Sequence, residues 1–167
     1  KNFGYGDALI HGINQCKTKY FVIFNADGSF NPSEIDKMHK SLDTKKLDFV
    51  FASRYDANSG SDDDTLLTLI GNYIFTYIGK IFFRLNINDI LYTFIIGKTE
   101  QAKKLHLNQK DFSLCVELPI KAKKMKMELG CINSYERKRI AGKKKVNAFK
   151  DGFLILKYMI KLFFMKS

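Results

Sequence analysis

The feature that most constrains the fold is a short apolar run that stops abruptly at a polar turn. Residues 20–30 read YFVIFNADGSF. An apolar, β-branched and aromatic run that meets Gly and Asp predicts a buried strand over 20–25, followed by a turn. In open α/β sheets, ligands bind just outside the carboxyl ends of strands. A carboxylate at that position suits a divalent cation that holds a phosphate. The run therefore predicts that Asp27 lies at a site for a phosphorylated ligand, the alternative being that it only caps the turn at Gly28.

Strands and helices alternate along the chain, which predicts an α/β layered domain. The 167 residues, 46% of them hydrophobic, are enough for one packed core. The predicted strands cover 20–25, 48–53, 90–96 and 131–135, and the predicted helices cover 7–16, 33–42, 65–79, a part of 112–127, and 151–164.

The chain is basic, with 28 Lys and Arg against 17 Asp and Glu, for a net charge of +11. Such a balance implies an anionic partner: nucleic acid, acidic lipid headgroups or a phosphorylated substrate. The alternative is that the lysines only keep the protein soluble.

The three cysteines form no CxxC pair, so a disulfide framework or a zinc site is not expected. A reducing compartment fits this usage best, and we predict a cytoplasmic location. The chain opens with Lys1 inside what reads as a turn before a helix. We therefore expect a fragment that lacks its natural N-terminus.

Two segments bear on the surroundings of the site. Residues 58–64, NSGSDDD, read as a polar loop that is either a lid or, as we slightly prefer, a solvated connector. Residues 65–79 carry no charge, but fifteen residues fall short of the roughly 18 to 20 that span a bilayer. A buried or membrane-surface helix is predicted there.

Several short motifs occur in a recognisable order. They are Asn2, Gly4, Gly6 and Ala8 with Gly12-Ile13; Phe24-Asn25-Ala26-Asp27; Ala52-Ser53-Arg54-Tyr55; Gly71-Asn72; Asp89; Glu117-Leu118; and Glu136, Arg139, Gly142, Lys145, Val146 and Asp151-Gly152. Together they resemble inverting glycosyltransferases of family two, in particular the polyprenyl-phosphate, dolichol-phosphate mannose synthase-like branch.

That resemblance implies a GT-A type, Rossmann-like α/β fold that is incomplete at the N-terminus. Residues 1–147 would form a partial catalytic domain, and 148–167 an amphipathic helix that packs on the domain or on a membrane surface. The implied activity moves a sugar from a nucleotide diphosphosugar to a lipid-phosphate or glycan acceptor, assisted by Mg²⁺ or Mn²⁺. Because the family's first third would be missing, we expect the fragment alone to be inactive. An anionic, cytoplasmic membrane face is a further expected partner.

The resemblance also implies site residues on the donor side. Asp27, with Asn25 in the first D-x-D position, would bind the metal. The same two residues, together with Gly4 and Gly6, would bind the nucleotide sugar.

Three basic residues are implied in phosphate binding. Arg54 follows a strand end, where its guanidinium could hold a phosphate by two hydrogen bonds, or else form a surface salt bridge to Asp56. Arg139 and Lys145 lie in a loop that could fold over the diphosphate and stabilise developing charge. Such a cluster could equally be a solvated face or a contact with lipid headgroups.

Asp89 and Glu117 are the candidates for the general base that takes the acceptor proton. If the acceptor is already a phosphate anion, a base is hardly needed, and a carboxylate at these positions would instead position loops. Asp89 could also cap a helix.

Two other classes of function remain open. A degenerate, non-catalytic member that scaffolds partners at a membrane is motivated by Asn25 and Lys144, which depart from the family pattern. A nucleic-acid-binding module is permitted by the basic cluster 137–145. No nucleic acid is expected, however, because the aromatic residues lie in apolar runs and are not interleaved with the basic ones.

Overall fold

The computed structural model describes residues 3–142 and 146–165. Its centre is a four-stranded sheet in the order β1-β4-β2-β5. The strands are β1 Tyr20–Ile23, β2 Phe49–Ser53, β4 Ile95–Lys98 and β5 Leu129–Asn133. β4 runs antiparallel to both β1 and β2, whereas β2 and β5 are parallel.

Strand β2 is buried along its whole length and divides the core in two. Phe49 and Phe51 face one hydrophobic cluster, whereas Val50 and Ala52 face the other. This alternation follows from the two-residue period of a strand. It explains why a central strand with helices on both sides reads as a continuous apolar run.

The helices are α1 Tyr5–Gln15, α2 Ser33–Thr44, α3 Leu66–Phe83, α4 Thr99–Lys104, α5 Leu114–Lys124 and α6 Ala148–Phe164. Helix α2 supplies Met38 and Leu42 to one cluster. Helix α6 supplies Ile155, Tyr158 and Met159 to the other, so it packs on the rest of the domain.

A second, two-stranded sheet pairs β3 (Gly60–Ser61) in parallel with β6 (Tyr135–Glu136). The Asp62 amide also donates to the carbonyl of Glu136 at 2.9 Å. The segment 58–64 is therefore tied to the segment after β5, and the preferred prediction of a solvated connector was wrong.

The predicted strand over 90–96 is shorter than expected and begins at Ile95. The backbone amide of Ile90 donates to the Thr76 hydroxyl at 3.2 Å. The neighbouring carboxylate of Asp89 is bound to Arg54. These tertiary contacts hold the start of the apolar run out of the β-ladder.

Helix α3 is longer than the predicted 65–79 and extends over 18 residues. It is long and apolar enough to cross a membrane by length and composition, and 17% of it is buried. Its exposed residues include Leu66, Tyr73 and Tyr77, and α6 beside it exposes Phe149 and Phe153. The prediction of a buried helix is thus wrong for much of its surface.

Candidate active site

A cavity of about 860 Å³ lies where the chain leaves β1 and β2. Strand β6 and the loops supply its polar wall: Asn25, Asp27, Arg54, Asp63, Asp64, Glu136 and Arg139. Helices α3 and α6 supply much of its apolar wall, including Ile70, Ile74, Phe75, Phe153 and Leu156. One cavity therefore offers both charged and apolar surface to a ligand.

Asp27 lies on the polar wall with its side chain 22% exposed. Its Oδ1 accepts hydrogen bonds from the Ser29 amide at 3.1 Å and the Ser29 hydroxyl at 2.7 Å. Its Oδ2 is 3.6 Å from Nη1 of Arg139. One carboxylate oxygen thus caps the turn, as the alternative interpretation expected, while the other faces a cationic side chain. Asn25 lines the same cavity.

The basic segment after β6 is fastened over this turn by its backbone. The Ile140 amide donates to the Asp27 carbonyl at 2.8 Å, and the Arg137 amide donates to the Ser29 carbonyl at 2.9 Å. Gly28 has φ +84°, and a Cβ there would lie 2.6 Å from Cδ1 of Ile140. The positive φ favours glycine at this position, whereas the exposed Ile140 side chain could move to relieve the contact.

Arg139 binds Asp63 through two hydrogen bonds, from Nε to Oδ1 at 3.1 Å and from Nη2 to Oδ2 at 2.6 Å. These hydrogen bonds raise the pKa of the Arg139 guanidinium above its ordinary value. The side chain stays 22% exposed and borders the cavity. Lys145, predicted beside it, lies outside the described residues.

Arg54 also reaches the cavity wall, but carboxylates take up its guanidinium. Its Nε and Nη2 donate to Asp89 at 2.7 and 3.1 Å, and Nη1 donates to Glu136 at 2.9 Å. Asp64 lies 3.7 Å away. Burial by itself lowers the pKa of Arg54, but the acidic neighbours, Asp89 first and then Glu136, together raise it above its ordinary value. The predicted alternative of a surface bridge to Asp56 is therefore wrong, and a phosphate at Arg54 would compete with the carboxylates that already bind it.

Asp89 is 1% exposed and binds both the Arg54 side chain and its backbone amide. It could act as a proton acceptor only after giving up this pairing. The contacts therefore do not support the prediction of a general base, and they give Asp89 the role of fixing Arg54.

Glu117 is fully buried. Its carboxylate accepts hydrogen bonds from the amides of Asn108 and Gln109 and from the Tyr158 hydroxyl at 2.9 Å, and it lies 2.7 Å from Lys121. The structure does not bring it to the cavity wall drawn by the described residues. It positions the loop before α5, which is the role expected if no base is needed.

Gly4 and Gly6 pack against the backbone of 109–111. A Cβ on Gly4 would lie 2.3 Å from the Lys110 carbonyl oxygen, and one on Gly6 would lie 2.2 Å from that of Gln109. Among the described residues, Tyr5 lines the cavity whereas these glycines do not. Close packing against residues 109–111 therefore accounts for glycine at both positions, and a nucleotide contact is not needed to explain it.

Sequence reasoning missed two carboxylates of the site. From the sequence, Asp63 is one acid of the 58–64 loop and Glu136 one residue of a motif, and neither pattern predicts a place in the site. The available signal was the run Asp62-Asp63-Asp64 in a chain of net charge +11, because acidic residues in a basic protein have cationic partners within reach.

No group of three His, Cys, Asp or Glu side chains that could hold a metal occurs within 3–142 and 146–165. Asp27 and Asn25 are hard oxygen donors on the cavity wall. Mg²⁺ is commonly held by one or two carboxylates together with substrate phosphates. The residues present therefore fit a cation that is completed by its substrate, not an all-protein cage.

The chain has a GT-A type, Rossmann-like α/β fold, as its matches to solved structures and to a family model show. A similar solved structure is glucosyl-3-phosphoglycerate synthase from Mycobacterium tuberculosis in complex with Mn²⁺, uridine diphosphate and phosphoglyceric acid, at a TM-score of 0.68 and 11% identity. The match covers 98% of this chain and 55% of that one. The same enzyme with phosphoglyceric acid matches at a TM-score of 0.62 and 10% identity, over 98% of this chain and 56% of that one. The chain therefore spans about half the length of these neighbours.

The family described as Glycosyl transferase family 2 matches residues 1–105, well over half of the chain. The chain belongs to this family. That membership confirms the family predicted from the motifs and supports sugar transfer as the class of chemistry. The polyprenyl-phosphate branch stays a prediction.

Proposed function

We propose that the complete protein transfers a sugar, with inversion, from a nucleotide diphosphosugar to a phosphorylated acceptor. The observation that carries this proposal is the pairing of Asp27 and Arg139 on the wall of an 860 Å³ cavity. An acid that can hold a cation and a fixed guanidinium beside it form a suitable pair for a diphosphate.

Asp27 and Asn25 are the residues that would hold Mg²⁺ or Mn²⁺. The bound cation would neutralise the diphosphate leaving group as the sugar–phosphate bond breaks. Ser29 fixes the Asp27 carboxylate through two hydrogen bonds, so the metal ligand is oriented in advance. Arg139 supplies a second positive charge for the same phosphates. The crystallised neighbour that holds Mn²⁺ and uridine diphosphate is consistent with a divalent cation.

The burial of Asp89 and Glu117 indicates which class of acceptor the protein uses. Both carboxylates are engaged by other groups of the protein, so neither is ready to take a proton. An acceptor that already carries a phosphate anion needs no such base. This supports a phosphorylated acceptor over a neutral glycan hydroxyl.

The apolar wall of the cavity favours a lipid phosphate. Ile70 and Ile74 of α3 line the cavity together with Phe153 and Leu156 of α6. A phosphate could lie near Arg139 while an apolar chain lies along the helices, whereas a sugar acceptor would leave that apolar surface uncovered.

Docking on an anionic, cytoplasmic membrane face would supply such an acceptor. Helices α3 and α6 expose large apolar side chains, and α6 also exposes Lys150, Lys157 and Lys161. Apolar and basic residues together are typical of helices that lie in a membrane interface. Flotation with vesicles should show binding that increases with anionic lipid, and equal binding to neutral vesicles would contradict the charge contribution.

Binding of a nucleoside diphosphate to the full-length protein, measured calorimetrically with and without Mn²⁺, tests the proposal. We expect Mn²⁺-dependent binding and sugar transfer in the wild type, and loss of both in Asp27→Ala. Asp36→Ala, an exposed acid on α2, is the matched control and should retain both. Metal-independent binding would show that the metal role of Asp27 is wrong.

A second candidate is a non-catalytic family member at a membrane. It is favoured by Asn25, because an amide oxygen ligates a cation without contributing charge. Mn²⁺-dependent nucleotide binding without any transfer by the complete protein would select this candidate over the enzyme.

A further inference from the structure

Arg139 is shared unequally between two carboxylates. It gives Asp63 two hydrogen bonds, of 3.1 and 2.6 Å, whereas its Nη1 stays 3.6 Å from Oδ2 of Asp27. The second distance is longer than a hydrogen bond. The Arg139 guanidinium thus lies beside Asp27 without forming a hydrogen bond to it.

Both ends of this arrangement are fixed by backbone contacts. Asp63 follows the β3–β6 ladder, and its amide donates to the Ser61 hydroxyl at 3.2 Å. Arg139 precedes Ile140, whose amide is bound to the Asp27 carbonyl. Because backbone contacts other than the Arg139–Asp63 pair hold both segments, the Asp63 carboxylate decides which way the guanidinium turns.

We propose that Asp63 is a positioning residue that holds Arg139 away from Asp27 and thereby keeps Oδ2 of Asp27 available to a divalent cation. This inference depends on the proposed metal role of Asp27. Without the bidentate partner, the guanidinium would turn toward the nearest remaining carboxylate. A guanidinium hydrogen-bonded to Oδ2 of Asp27 and a metal ion at the same oxygen compete, because the two positive charges repel each other at this short distance.

The same geometry gives Asp63 a second effect. The guanidinium keeps Nη1 directed to the Asp27 side while its other nitrogens are bound to Asp63. A diphosphate bridging the cation and Arg139 would therefore find both positive charges in place, which lowers the cost of ordering them.

The experiment measures Mn²⁺ binding by the full-length protein, using electron paramagnetic resonance of free Mn²⁺ without nucleotide. We expect Asp63→Asn to raise the Mn²⁺ concentration at half-saturation about tenfold, the size typical of one charged hydrogen bond gained by a competitor. Arg139→Gln should bind Mn²⁺ at least as tightly as the wild type. The double variant Asp63→Asn/Arg139→Gln should return to the wild-type midpoint, because it lacks the competing guanidinium.

Two further variants keep the result interpretable. Asp62→Asn removes the same charge from the same loop, so it should leave the midpoint within about twofold of wild type if bulk charge is not the cause. Arg139→Lys retains the charge but cannot be held by two parallel hydrogen bonds. Arg139→Lys should therefore weaken Mn²⁺ binding even with Asp63 intact. This variant replaces Asp63→Asn in the test if Asp63→Asn does not fold.

An unchanged midpoint in Asp63→Asn, or a double variant that stays as weak as Asp63→Asn, would overturn the inference and leave the proposed function standing. Absence of Mn²⁺ binding in the wild type would overturn both. A midpoint raised equally in Asp62→Asn would also overturn it, because loss of loop charge would then be the cause.

Discussion

Arg54 and Arg139 occupy the same cavity wall but are held in different ways. Arg54 is 7% exposed and lies among Asp89, Glu136 and Asp64. Arg139 is 22% exposed, with Asp63 as its bidentate partner and Asp27 further away. The sequence predicted a phosphate-binding role for both, and the structure separates a fixed structural cation from an accessible one.

The difference lies in the segments that carry the two side chains. Arg54 directly follows the fully buried strand β2, so its guanidinium enters the interior and must be neutralised there. Arg139 lies in a loop over the 27–29 turn and borders the open cavity. A buried arginine surrounded by acids stabilises the fold around the site, whereas a half-buried one can exchange partners when an anion arrives.

The strongest test of this contrast removes the buried partner. We expect Asp89→Ala to lower the free energy of unfolding by about 3 kcal/mol, since it leaves Arg54 buried with fewer acids. Urea denaturation measures the change. Asp36→Ala should change stability by less than about 0.5 kcal/mol. A similarly small effect in Asp89→Ala would mean that Arg54 is solvated and that the contrast is wrong.

The opposite pattern is expected at the accessible arginine. Arg139→Gln should cost less than about 1 kcal/mol of stability, as partly exposed ion pairs do. Its kcat/KM for sugar transfer should fall about a hundredfold, the typical effect of losing one group that stabilises developing charge. A loss of activity that is fully explained by unfolding would place Arg139 in the same class as Arg54.

Glu117 extends the comparison to a buried acid outside the cavity. Glu117→Gln should lower the free energy of unfolding by about 1 to 2 kcal/mol, because the amide cannot accept all the hydrogen bonds from Asn108, Gln109 and Tyr158. The KM and kcat of the folded fraction should stay unchanged. A selective fall in kcat with normal stability would instead restore the general-base prediction.

The smallest expected effect is a difference in reactivity between a buried cysteine, Cys115, and a partly exposed one, Cys16. Burial raises the pKa of Cys115, which lines the cavity, to about 12. Hydrogen bonding from Thr18 lowers the pKa of Cys16. Because the thiolate is the reactive form, Cys16 should be alkylated first at pH 7.5, and its rate should level off at a lower pH than that of a free thiol. Equal alkylation rates, followed by mass spectrometry, would indicate that the interior near Arg54 opens readily.

The local features of this protein were readable from its sequence. The apolar run ending at Asp27 predicted a strand and a polar turn, and β1 ends at Ile23 before that turn. The helix predicted over 33–42 does begin at Ser33, and the side chain of Asn31 just before it accepts a hydrogen bond from the Ser33 amide. Such features depend on periodicity and on hydrogen bonds between near neighbours.

The partners of the charged residues were not readable in that way. Arg54 meets Asp89 and Glu136 across 35 and 82 residues, and Arg139 meets Asp63 across 76. The sequence does not reveal which of the two arginines is buried, because side-chain chemistry alone does not specify burial.

The sequence by itself determined the α/β class, the family and the acid after the first strand, since hydrophobic period and turn chemistry act over a few residues. The tertiary structure alone decided which carboxylate holds which arginine, because strand order and loop pairing bring together charges that are far apart along the chain. It likewise decided that Glu117 and Asp89 are neutralised inside the protein while Asp27 keeps one oxygen directed toward a cavity.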